Sequence, residues 1–119
     1  MAGIEIVNHK GKRVVTIDVS HSKPDVSLDL IPKAHTHIAE AGPKGALVLT
    51  DVTDTFYNKA VSAAIKDFVS NNTPYIKASA VVGAKGVRGV LLQTAIVVSR
   101  RDIKAFDDRA AALDWLASI

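Results

Sequence analysis

The chain has 119 residues, of which 48% are hydrophobic and 23% charged, and its net charge is +3 at neutral pH. These proportions are those of an ordinary globular domain and exclude a generally disordered chain, and the length suits a single domain over 1–119. Cysteine is absent, so neither a disulfide nor a thiolate metal site can form.

No apolar run approaches the about 20 residues that span a bilayer. The N-terminal MAGIEIVNHKGKRVVTI begins directly with strand-like alternation, without the layout of a signal peptide, so a cytoplasmic location is expected. The basic residues are scattered and are not interleaved with the few aromatics, as a single-strand-binding surface would require. Nucleic acid is therefore not an expected partner.

Ile4 and Ile6, then Val15, Ile17 and Val19, recur at period two, as in strands with one buried face. Between them His9-Lys10-Gly11-Lys12 is a polar turn, which predicts a hairpin of residues 3–8 and 13–20. Residues 25–41 read as helical, with two possibilities at Pro32: a short turn leads to Pro32 at the first helical position, or the helix kinks there. Gly42-Pro43-Lys44-Gly45 closes that segment. Ala46-Leu47-Val48-Leu49-Thr50 is a continuous apolar run, the pattern of a central strand covered on both faces. Asp51 to Thr55 then offers several N-caps for an amphipathic helix over 56–70 bearing Phe56, Ala60, Val61, Ala64, Ile65 and Phe68.

Tyr75 to Val82 reads as the next strand, and Gly83-Ala84-Lys85-Gly86 turns the chain into an apolar helix over 86–100. Asp102 to Phe106 is a fifth strand, and Asp107 or Asp108 caps a C-terminal helix carrying Leu113, Trp115 and Leu116. The pattern shows no internal repeat or linker. Strands alternating so closely with helices predict an α/β domain: a mixed, mostly parallel sheet of about five strands, an N-terminal hairpin followed by β-α units, and four helices.

From about Val48 onward the segments LVLTDVTD, PYIKASAVVGAKGVRGVLL and IKAFDDRAAALDWLAS resemble the SpoIIAA-like proteins of bacteria, relatives of the STAS fold. That resemblance implies a small mixed sheet with helices mainly on one face and no family-wide enzymatic activity. The family is compared with CRAL-TRIO lipid-transfer domains, which implies carriage of a small apolar ligand. STAS proteins themselves switch protein partners through a phosphorylatable serine in an Asp-Ser-Ser-Gly loop after a central strand. The matching loop here is 51-DVTDTFYNKA-60, which has Thr53 and Thr55 as hydroxyl residues but lacks Ser-Ser-Gly. Those threonines are the phosphoacceptor candidates under the partner-switch alternative.

Other candidates come from the residues alone. Asp51 and Asp54 follow a central strand, where open α/β sheets place ligands. Paired carboxylates there can do acid–base work or hold a cation, but no nucleophile or base accompanies them, and capping is the simpler reading. Lys85, Gly86 and Arg88 form a turn that could receive an anion at a helix start, although the glycine spacing matches no phosphate-binding fingerprint. His35 and His37, two apart, diverge on a helix, and His9 and His21 fall in loops; surface histidines are expected, and neither a metal nor a cofactor is.

In the 86–100 helix, Val87, Val90, Leu91, Thr94, Val97 and Val98 gather on one side. Leu92 and Ile96 fall opposite, beside Gly89, and need a cover of their own. Three covers are open: a subunit interface giving a homodimer, an apolar pocket closed by the Phe56 helix, in which Tyr57 is either core or a ligand-facing lid, or burial under the Pro32 segment. The expected protein is a non-enzymatic module that binds a small apolar ligand or a protein partner through the 56–70 and 86–100 helices.

Overall fold

The computed structural model describes residues 3–56, 58–84 and 102–119. The strands are β1 (Gly3–His9), β2 (Lys12–Asp18), β3 (Ala46–Asp51), β4 (Ile76–Val82) and β5 (Asp102–Phe106). The described helices are α1 (Pro24–Ala39), α2 (Lys59–Asn72) and α3 (Arg109–Ala117). The expected 86–100 helix lies outside the described residues.

Sequence order is spatial order across the sheet, β1-β2-β3-β4-β5. β1 and β2 are antiparallel, and every later neighbour is parallel. Lys10 and Gly11 both take positive φ, 50° and 79°, which gives the two-residue turn whose twist matches a hairpin.

Side-chain alternation divides the core into two halves. Val15, Ile17, Val19, Val48 and Ile76 point to one face and pack with Ala34 and Ile38 of α1. Val14, Leu47, Leu49, Ala78, Ala80 and Val82 point to the other and meet Ala112 and Leu116 of α3. β3 is thus buried on both sides, which is why it reads as a continuous apolar run. α1 and α2 share one face and α3 covers the other.

At Pro32 the structure excludes the first of the two expectations, a helix that begins there. α1 starts at Pro24, its first-turn proline, and runs through Pro32 as a single helix. An interior proline forfeits one backbone hydrogen bond and costs about 3 kcal/mol in an isolated helix. Pro32 lies on the exposed side, where water can solvate the carbonyl left over, while Ile31, Ala34 and Ile38 on the buried side hold the helix to the sheet. Each of the two isoleucines contributes about 1.5–3 kcal/mol when buried, enough together to offset the lost bond.

α2 also begins later than its apolar pattern suggests. Asn58 is its N-cap, accepting from the Val61 amide at 2.8 Å, so Phe56 precedes the helix and neither Asp51 nor Asp54 caps it. Asp108 caps α3 through the Ala111 amide at 2.8 Å.

Gly83 ends β4 with a φ of +79°, and a Cβ built on it would lie 2.2 Å from Thr53 Oγ1 and 2.7 Å from Thr53 Cα. Gly11 has the same φ and nothing within 4 Å. Gly11→Ala is expected to cost about 1 kcal/mol, the left-handed penalty alone. Gly83→Ala adds overpacking and should cost about 3 kcal/mol. Urea unfolding of the two variants measures the difference.

Candidate functional site

The C-terminal end of the sheet carries two loops of one design. Segment 18-DVSHS-22 leaves β2 and segment 51-DVTDT-55 leaves β3, each with the order Asp, Val, hydroxyl, variable, hydroxyl. The parallel register sets Asp18 directly beside Asp51. In the first loop Asp18 Oδ1 accepts from the Ser20 amide at 2.9 Å and the Ser20 hydroxyl at 2.5 Å. In the second, Asp51 Oδ1 accepts from the Thr53 amide at 3.0 Å and the Thr53 hydroxyl at 2.7 Å. These are Asx turns, in which a carboxylate replaces a backbone carbonyl.

The likeness continues one residue on. His21 and Asp54 both take positive φ, 56° and 50°. The Ser22 amide then returns to the Val19 carbonyl, and the Thr55 amide to the Val52 carbonyl, each at 3.2 Å. The absence of internal repeats expected from the sequence is corrected at this short scale.

The loops are also bonded to each other. Val19 N–H donates to the Asp51 carbonyl at 3.0 Å and His21 N–H to the Thr53 carbonyl at 2.8 Å. Thr55 Oγ1 donates to the Val19 carbonyl at 2.7 Å, and Val52 N–H reaches the Val82 carbonyl of β4 at 2.9 Å.

With both Oδ1 atoms occupied by the turns, the two Oδ2 atoms face Arg109. Its NH2 group lies 2.7 Å from Asp18 Oδ2 and its Nε 3.0 Å from Asp51 Oδ2. The aspartate side chains are 15% and 10% exposed, and the arginine 40%. Arg109 occupies the first turn of α3, where the helix dipole disfavours a cation. The two carboxylates supply the opposing field that holds it there. Burial alone would raise the Asp18 carboxyl, but hydrogen bonds from the Ser20 hydroxyl and amide, together with Arg109, outweigh it and hold that group below the usual carboxylate range. Burial likewise opposes the charged form of Arg109, and the Asp51 and Asp18 contacts more than restore it.

The expected site residues therefore part company. Asp51 pairs with Asp18 through Arg109, whereas Asp54 turns outward and lies 3.8 Å from His21 Nδ1, with both side chains largely exposed. Thr53 gives its hydroxyl to Asp51, and Thr55 is buried against the Val19 carbonyl. Phe56 is held by its amide, which donates to the Ser22 carbonyl at 3.0 Å, yet it is 60% exposed. Tyr57, Lys85, Gly86, Arg88, Gly89, Leu92 and Ile96 lie outside the described residues.

The histidines are less uniformly on the surface than expected. His35 is half-buried between α1 and α2, with Nδ1 2.8 Å from Asn72 Oδ1 and its ring edge-on to Tyr75. His9 Nε2 meets Asp114 Oδ1 at 2.8 Å, joining β1 to α3. Among the described residues no group of three or more His, Cys, Asp or Glu could hold a metal ion, and no helix is long and apolar enough to cross a membrane. Sequence reading missed Asp18 and Arg109. The recurring Asp-Val-hydroxyl pattern after two neighbouring strands was the signal for the first; nothing local marked the second.

No protein-family model and no curated protein matches the chain. Solved structures do. An uncharacterized protein of the DUF3478 family with a SpoIIAA-like fold, from Shewanella loihica PV-4, superposes with a TM-score of 0.76 at 17% identity, covering 96% of this chain and 92% of that one. An anti-sigma-factor antagonist (STAS) domain protein from Planctomyces limnophilus gives 0.58 at 13% identity, covering 96% and 97%. The chain has a SpoIIAA-like fold of STAS type.

Arg109→Ala removes the cation shared by two adjacent, mostly buried carboxylates. Breaking a fully buried pair costs about 3–5 kcal/mol; with the arginine partly exposed, about 2 kcal/mol is expected in urea unfolding. Because the folded state depresses the Asp18 pKa, the stability this group supplies is present above the unfolded value near pH 4 and is lost as pH falls through the folded value. Asp18→Asn should flatten the wild-type decline in urea midpoint as pH falls below about 4.

Proposed function

We propose that the protein is a non-enzymatic regulatory module that binds another protein through the loop end of its sheet, with Phe56 as the anchor. One observation carries this reading: the most exposed large apolar side chain among the described residues stands on a loop whose backbone is fixed. The Asx turns and the Phe56–Ser22 hydrogen bond fix the backbone from which the exposed ring projects. Preorganisation lowers the ordering cost of binding, and exposed aromatics are enriched among residues that dominate interfaces. A cytoplasmic setting belongs to this reading, as does the absence of catalysis.

The likeness to a STAS-domain anti-sigma-factor antagonist lends general support to a regulatory role. The phosphoswitch version has less behind it, because both candidate hydroxyls are already donors: Thr53 to Asp51, and Thr55, buried, to Val19. The enzymatic version needs Asp51 and Asp54 to cooperate, yet Asp51 is committed to Arg109 and Thr53 while Asp54 faces outward toward His21. Carriage of an apolar ligand rests on Leu92 and Ile96, outside the described residues. Native mass spectrometry of freshly purified protein tests it through a bound lipid-like mass.

A photo-crosslinking amino acid at position 56 is expected to yield a discrete protein adduct in cells of the source organism. The same group at Asp29, exposed on α1, should not. Phe56→Ser should weaken capture of that protein by about 2 kcal/mol or more while changing stability by less than about 0.5 kcal/mol. Equal labelling from positions 56 and 29, or unchanged capture by Phe56→Ser, would overturn the reading.

A further inference from the structure

The two edges of the sheet are guarded unequally. β5 is five residues long and carries Lys104 at its centre, with the ammonium 5.5 Å from the Phe106 ring centroid and 6.0 Å from that of Trp115. Short length and a lysine are the usual protections of an edge strand. β1 has seven residues, GIEIVNH, with no proline, no lysine and an unbroken register against β2. Its one negative charge is Glu5, and Ile6 is 42% exposed.

The hairpin turn determines which backbone groups of β1 are free. A two-residue turn makes its flanking pair, His9 and Lys12, a hydrogen-bonded pair. Antiparallel alternation then gives Val7↔Val14, Glu5↔Thr16 and Gly3↔Asp18 as the other bonded pairs. Ile4, Ile6 and Asn8 therefore turn their N–H and C=O groups away from β2. No described residue pairs with that outer side of the strand.

These free positions are symmetric about Ile6. We propose that β1 pairs antiparallel with β1 of a second copy of this chain, on a two-fold axis through Ile6, joining two sheets into one. Ile6 then faces Ile6 of the second copy, and Ile4 faces Asn8 on each side. All three outward positions are paired, giving about six backbone hydrogen bonds. The two Ile6 side chains, on the sheet face that carries α1, cover each other at the axis.

Neighbouring registers do worse. An axis at Glu5 sets two carboxylates directly opposite, a destabilising cross-strand pair. An axis at Val7 leaves Ile4 opposite Lys10, which has entered the turn with positive φ, so about four bonds remain. A symmetric strand with a self-complementary edge is what a two-fold interface requires. The loop end bearing Phe56 is not part of this contact, so the pairing stands apart from the function proposed above.

Sedimentation velocity over a concentration series tests it. Wild type should move as a dimer. Ile6→Lys, which sets two cations on the axis, should move as a monomer with unchanged circular dichroism. Ile6→Pro removes an N–H that the monomer does not use and should do the same; if it fails to fold, Ile6→Lys decides alone. The chain has no cysteine of its own, so a disulfide in an Ile6→Cys variant reports that position only. Bonded antiparallel partners have Cα atoms about 5.5 Å apart, within disulfide reach. Under a glutathione redox couple Ile6→Cys should therefore form a covalent dimer at least tenfold faster than Asp29→Cys. A monomeric wild type, a dimer that survives Ile6→Lys, or equal cross-linking rates for the two cysteines would overturn the proposal.

Discussion

The order of the loop end depends on two carboxylates placed side by side by the β2–β3 register. Asp18 and Asp51 are neighbours because parallel strands end at the same level, and both point toward α3 because they share the parity of Val14, Leu47 and Leu49. Two like charges, both mostly buried, would oppose that register. The opposition is removed in two ways at once. Each Oδ1 accepts from an amide and a hydroxyl of its own turn, and both Oδ2 atoms share one guanidinium. Only a planar donor can address two carboxylates through different nitrogens in this way, so a lysine at 109 would not be equivalent. The same contact ties the last helix to the first parallel strand pair, linking a chain terminus to the middle of the sheet.

This accounts for what the sequence revealed and what it did not. The hairpin, the central strand, β5 and the Asp108 cap are all consequences of local alternation, short apolar runs or a side chain acting within one turn. Such signals need no knowledge of distant residues. The start of α1 was obscured because Pro32 suggested a break, whereas packing of Ala34 and Ile38 against the sheet overrides a single lost hydrogen bond. The start of α2 was misplaced for a related reason. Asp51 has the chemistry of an N-cap, but its carboxylate is claimed by Thr53 and Arg109, and the chain runs on to Asn58 before a free cap is found.

The site was partly visible in the same sense. Asp51, Thr53 and Asp54 do follow a central strand, as the apolar run implies, but the contacts group them differently. Proximity in sequence suggested Asp51 with Asp54, and the positive φ at Asp54 turns it away from its neighbour. The true partner of Asp51 is Asp18, which the parallel register brings alongside. Arg109 could not be found at all from spacing, since a cation in the first turn of a helix looks unfavourable until the carboxylates facing it are known.

The distribution of rigidity has a consequence for recognition. Loops carry function more often than strands do, but a mobile loop must be ordered when its partner binds. Here residues 51–56 are tied down by their own bonds: Thr53 to Asp51, Thr55 to Val19, and Phe56 to Ser22, with Gly83 approaching closely beside Thr53. The hydroxyls that make the loop look like a switch are the groups that keep it still. If Phe56 is the anchor proposed above, an exposed ring on a frame so fully bonded favours a preshaped partner over one that must rearrange.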